Sequence, residues 1–273
     1  MTRSPFSWMS RRNHIARLLA VAVLPIVLLA SAACSSTLSS SGQLGQDQQV
    51  LAGCDPAAPP ATDIEIDGTG SSASDVVTAE RMTAVEAIVR KTAICSGQLR
   101  VTAFSSSSAA TATLFDGSLH LGGATDNARL LRAPGVVTNS MAQIKKAYGP
   151  AVSGLDQSGS DITAQYRLAA EYIQQLGKPY RLNLYVLTDG FQNLRQDLQT
   201  RALGKAEATA LADQVTMPKL PGASVVVAGL GKVAGSPPPS DMVEGLVTYY
   251  NELCKISGAS ACLSVSDLAV AGR

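Results

Sequence analysis

The sequence predicts an α/β fold: a mostly parallel central sheet with helices on both faces, the three-layer Rossmann-like architecture. Two observations carry this. β-branched apolar runs alternate with helix-period segments over 62–268. Two of those runs, "RLNLYVLTDG" (181–190) and "ASVVVAGLG" (223–231), are almost continuously apolar, as strands buried on both faces must be.

The chain opens differently. Arg3, Arg11, Arg12 and Arg17 precede the apolar run Leu18 to Ala30, which leads into the small residues Ser31-Ala32-Ala33 before Cys34. This reads as a secretory signal peptide, 1–33, and not as a retained membrane span. "LLASAAC" resembles a bacterial lipobox, so Cys34 is expected to carry lipid and anchor the protein to the extracytoplasmic face of the cell membrane; cleavage without lipid is the alternative. "SSTLSSSGQLGQDQQ" follows, rich in Ser, Gly and Gln, and 34–60 is expected to be a flexible tether. One domain, 61–268, and a short tail, 269–273, complete the chain.

Within the domain, "TDIEI" (62–66) is a first strand. A helix over 75–95 places Val77, Ala84, Val85, Ile88 and Val89 on one face, with a capping-box-like Ser72-x-x-Asp75 at its start. "QLRVTAFS" (98–105) is a second strand, and 111–122 a third extended segment bent at Asp116-Gly117. Helical patterns follow over 123–148 and 161–177, then the 181–190 strand, a helix over 199–215 and the 223–231 strand. Beyond Pro237 to Pro239, a last helix turns Val243, Leu246, Val247, Tyr250 and Leu253 inward, and "ACLSVSDL" (261–268) closes the sheet.

Composition excludes several functions. The chain has 22 basic and 21 acidic residues; losing four arginines with the signal leaves −3 and no basic stripe, so nucleic acid is not a partner. The one tryptophan, Trp8, leaves with the signal, which removes the best platform for stacking on sugars. Lipidation of Cys34 leaves Cys54, Cys95, Cys254 and Cys262, an even number for an oxidising compartment. Three pairings are formally open, and Cys54 with Cys95 plus Cys254 with Cys262 is preferred because the latter two are close in sequence. No CxxC is present and His120 is the only histidine of the mature chain, so a structural zinc site is not expected.

Two strands end in an acid followed by glycine, Ile66-Asp67-Gly68 and Thr188-Asp189-Gly190, and in such sheets the ligand crevice lies at the carboxyl ends of the strands. Asp67, Thr69 and Ser71 stand at i, i+2 and i+4, so a tight loop can bring their oxygens round one point. Asp67-Gly68-Thr69-Gly70-Ser71, then Gly159-Ser160-Asp161-Ile162 opening a helix, then Leu187-Thr188-Asp189-Gly190, resembles in order and spacing the von Willebrand factor type A domain. The resemblance covers most of 62–268 and implies a metal-ion-dependent adhesion site. Thr69, Ser71 and Ser160 would supply hydroxyls, and Asp67 and Asp189 carboxylates, to Mg2+ or Mn2+. An open coordination position would then accept an acidic side chain from an extracytoplasmic protein, with binding and not turnover as the output.

Two alternatives stand beside this. A metal-free scaffold of the same fold would use Asp67 and Ser71 only to shape a turn and cap a helix. "EIDGTG" also resembles the nucleophile loop of haloacid-dehalogenase-type phosphatases, but Glu65 stands where the attacking aspartate belongs. Asp63 and Glu65 make the first strand more polar than a central strand should be, and pattern alone does not explain them.

Overall fold

The structure is a computed structural model and describes residues 35–273, Ala73 and Lys178 excepted. The signal peptide and Cys34 lie outside the described residues. The compact body is Ser41–Arg273.

A mixed sheet runs through its centre. Its strands are β1 (Pro60–Asp67), β2 (Gln98–Phe104), β3 (Thr111–Ser118), β4 (Arg181–Leu187), β5 (Ser224–Ala228) and β6 (Ala261–Val265), in the order β3-β2-β1-β4-β5-β6. All neighbouring pairs are parallel except β2 with β3. β3 runs straight through the expected bend, Asp116 pairing with Arg100 and Gly117 with Leu99. The irregularity falls instead where Val101 pairs with Phe115 and Thr102 with Thr113, so Leu114 is passed over as a bulge.

The helices are α1 (Ser35–Ala52), α2 (Asp75–Ile94), α3 (Asp126–Leu130), α4 (Ala133–Ser153), α5 (Ile162–Leu176), α6 (Lys205–Ala212) and α7 (Ser240–Ser257). One face of the sheet packs Ile64, Ile66, Val101 and Leu187 against α2 and α4 through Val85, Ile88, Met141 and Ile144. The other packs Leu184, Val186, Val225 and Val227 against α5, α6 and α7 through Tyr166, Ala208, Leu246 and Tyr250. Alternate residues of one strand thus serve opposite layers, which is the period-two rule at work.

Three expectations need correction. The expected helix over 123–148 is two helices, breaking at Leu131 and Arg132 just ahead of Pro134. The helix over 199–215 shrinks to α6, entered from Gly204. Ser74, not Ser72, caps α2, its hydroxyl accepting from the Val77 N–H at 3.1 Å.

The segment expected to be a tether is helical as α1, and its last turns are held to the body. Asp47 is buried and takes a bidentate ion pair from Arg90 of α2, at 2.9 and 2.5 Å. Leu44, Val50 and Leu51 pack on the α2 side of the core. The Cys54–Cys95 disulfide ties the end of α1 to the end of α2, and Cys254–Cys262 ties α7 to β6. At the other terminus, Leu268–Gly272 forms a short 3-10 turn whose Leu268 and Ala271 are buried; Gly272 lies so close to Ala87 of α2 that a Cβ there would meet it at 2.4 Å. Among the described residues no helix is long and apolar enough to cross a membrane.

Candidate functional site

The strand order reverses between β1 and β4: the chain fills the β2 and β3 side first, then returns to the far side of β1. A crevice is expected at the carboxyl ends of those two strands. β1 ends at Asp67, and the two residues after β4 are Thr188 and Asp189.

Asp67 is fully buried and is the hub. Its Oδ1 accepts from the Thr69 N–H at 3.0 Å and the Thr69 hydroxyl at 2.7 Å, a turn closed by its own side chain. Its Oδ2 accepts from the Thr188 hydroxyl at 2.6 Å, and the Ser160 hydroxyl lies 3.4 Å from both oxygens. Thr69 Oγ1 stands 3.1 Å from Ser160 Oγ and 3.5 Å from Ser71 Oγ. Asp189 accepts from the Phe191 N–H at 3.0 Å and takes a further hydrogen bond from the Ser71 hydroxyl. The five residues that the sequence singled out therefore meet in one place. Ser71 is exposed at the mouth, while Thr69, Ser160 and both carboxylates lie beneath it.

Each loop is held by its own contacts. Gly68 N–H donates to Phe104 O at 2.9 Å, and Ala234 N–H to Ser71 O at 2.8 Å. Ser160 is fixed from both sides: Asp161 N–H donates to Ser105 O at 3.0 Å, and Asn193 Oδ1 accepts from the Ser160 N–H at 3.1 Å. Asp161 then caps α5 through the Ala164 N–H. Gly190 has φ 85°, and a Cβ there would meet Leu230 at 2.5 Å, so the turn after Asp189 requires glycine.

Burial, then the charge of Asp67, pushes the Asp189 carboxyl above its ordinary value; the Phe191 N–H, the Ser71 hydroxyl and Arg81 oppose that. Arg81 of α2 is the part that the sequence reading missed. The residue is 1% exposed, its Nη1 donates to Asp67 O at 2.9 Å, and its Nε and Nη2 have no hydrogen-bond partner among the described residues. The signal was there: Arg81 falls four residues after Val77 and four before Val85, within the apolar stripe of the helix. Thr188 and Asn193 were also missed as supports of Asp67 and Ser160.

All five candidate donors are hard oxygens, which suits Mg2+ or Mn2+, and only two are carboxylates. Among the described residues no three of His, Cys, Asp and Glu gather as a metal group. The set thus offers two carboxyl groups with one buried guanidinium beside them.

Glu65 is not part of this site. It projects to the α5 face with Asp63, both fully buried. Arg100 of β2 makes a bidentate pair with Asp63 at 2.8 and 2.7 Å, approaches Glu65 at 3.5 Å, donates to Leu168 O at 3.1 Å and lies 4.2 Å over the Tyr172 ring. Burial and the neighbouring Asp63 charge push the Glu65 carboxyl well above its ordinary value, which favours its protonated form. The two acids that pattern could not explain form a buried knot with one arginine. His120 is exposed just after β3.

No protein-family model matches the chain, and no curated protein matches it. Among solved structures, the pilus adhesin SpaC from Lactobacillus rhamnosus GG is similar in its open conformation at 14% identity with a TM-score of 0.40. A second structure of that adhesin is similar at 12% identity with a TM-score of 0.39. Each alignment covers 79% of this chain but only 29% of the adhesin, so the chain spans less than a third of that protein's length.

Proposed function

We propose that this chain is an envelope-anchored binding module of the von Willebrand factor type A kind, lipid-tethered at Cys34, which captures an acidic side chain of an extracytoplasmic protein through Mg2+ or Mn2+. One observation carries the reading: hydroxyls and carboxylates from three separate segments converge where the strand order reverses. Thr69, Ser71 and Ser160 with Asp67 and Asp189 would hold the ion. What the ion supplies, when bound, is an electrophilic position for a carboxylate. The chain's own residues preorganise it: Thr188 and the Thr69 N–H orient Asp67, Asn193 sets Ser160, and exposed Ser71 leaves the mouth open to a partner. The two disulfides support an oxidising compartment.

Titration calorimetry with Mg2+ and Mn2+ tests this. Wild type binds, whereas Ser160→Ala and Asp189→Asn lose at least about tenfold in affinity with unchanged thermal melts. Equal binding by both variants would contradict the site. A metal-free scaffold is the second reading, and Arg81 favours it by placing a fixed positive charge beside both acids. No heat from wild type with either ion supports that scaffold.

A further inference from the structure

We propose that a cavity beside the candidate site, walled by Arg167 and Arg195, takes a second carboxylate of the same acidic partner segment. The cavity holds about 550 Å3. Thr163 and Arg167 of α5 form one wall, Arg195 and Gln196 of the loop after β4 a second, and Gln214 and Thr216 ahead of β5 a third; its other liners are apolar and none is a carboxylate. Arg167 is exposed and has no ion-pair partner among the described residues. Among the described residues Arg195 gives only its Nε, to Asp161 Oδ2 at 3.0 Å, leaving the rest of a five-donor fork for a ligand.

The loop that carries Arg195 is preorganised. Gln192 Oε1 accepts from the Thr163 N–H at 3.1 Å, Asn193 clasps Ser160, and Arg195 grips Asp161, so three nearby side chains fasten it to the entrance of α5. Arg195 holds a left-handed backbone, φ 68°, a strain that bulky residues keep only where surrounding contacts enforce it. Asp161, which anchors Arg195, directly follows Ser160, so cavity and candidate site share one short stretch of chain. The liners include two guanidiniums and no carboxylate, which matches a segment with closely spaced Asp or Glu. The choice of partner rests on the proposed function; the cavity's preference for carboxylate does not require a metal.

Fluorescein-labelled hexaglutamate, followed by anisotropy with Mg2+ and again with chelator, tests the proposal on the mature protein. Wild type binds the peptide, and Arg167→Glu weakens binding at least about tenfold under both conditions with an unchanged melt, since Arg167 has no ion pair to lose among the described residues. Asp189→Asn and chelation remove only the metal-dependent part. Loss in Arg167→Glu with no effect of chelator upholds the cavity while the metal reading fails. Equal binding by Arg167→Glu and wild type, or no binding of hexaglutamate to wild type, overturns the proposal. Displacement of the peptide by inorganic phosphate at equal concentration reassigns the cavity to phosphoryl groups and overturns it too.

Discussion

Arg81 decides how the two acids of the candidate site are tolerated. A buried guanidinium with free N–H groups is costly on its own, and the charges of Asp67 and Asp189 offset that cost. Arg81→Met keeps the volume and removes the counter-charge. The variant is expected to bind Mg2+ about tenfold more tightly than wild type, and to gain more thermal stability from the ion, by calorimetry and melting. Asp67 answers a different question, because its carboxylate satisfies Thr69 and Thr188 as well as any ion. Asp67→Ala is therefore expected to cost about 3 kcal/mol in urea unfolding, by stranding those buried donors. This is why Ser160 and Asp189 are the cleaner probes of binding. At this scale the spacing of Asp67, Thr69 and Ser71 within one short loop, and the place of Asp189 at a strand end, could be read from the residues, whereas Ser160 came only with the resemblance to the von Willebrand factor type A domain. Arg81 was not legible, because a side chain buried across a helix–sheet interface leaves only a single charged letter in an apolar stripe.

Among elements, β1 carries an acid pair in its centre, and its helix-facing neighbours set the pH response. Glu65 stands well above its ordinary value of 4.5, so the folded chain holds a proton that the unfolded chain releases. Its contribution is full below about pH 4.5 and declines as pH rises through the folded value. Glu65→Gln mimics the protonated acid, and its urea midpoint should fall less steeply than that of wild type as pH rises above about 4.5, the raised Asp63 and Asp189 carboxyls still titrating in both. The loop ahead of α5 offers a second test. A Cβ on Gly159 would come 2.3 Å from Asn193 Oδ1, so Gly159→Ala must push Asn193 off the Ser160 N–H. Metal affinity should then drop severalfold by calorimetry although no candidate donor has changed. Strand identities were readable in runs such as "VVVAG", whereas the acids of β1 were opaque because their partner, Arg100, lies on another strand. α1 was misread for a similar reason: its stability comes from Asp47 with Arg90 and from the Cys54 bridge, not from its own Ser- and Gln-rich composition.

For the molecule as a whole, the disulfides close loops of unequal size, with separations of 41 and 8 residues. Chain entropy makes the longer closure worth more, about 4 against about 2.5 kcal/mol. Replacing Cys54 and Cys95 by serine should therefore lower the urea unfolding free energy more than replacing Cys254 and Cys262. Five strands of the sheet point the same way. That shared polarity has a practical outcome for anyone mounting the protein on a sensor. The exposed turn at Pro221 and Gly222 lies just before β5, on the rim away from Asp67 and Asp189, and accepts a biotin-acceptor tag that leaves the oxygen cluster facing the flowing analyte. The same tag at Gly235 sits beside the backbone contact of Ala234 with Ser71 and crowds the mouth it was meant to display.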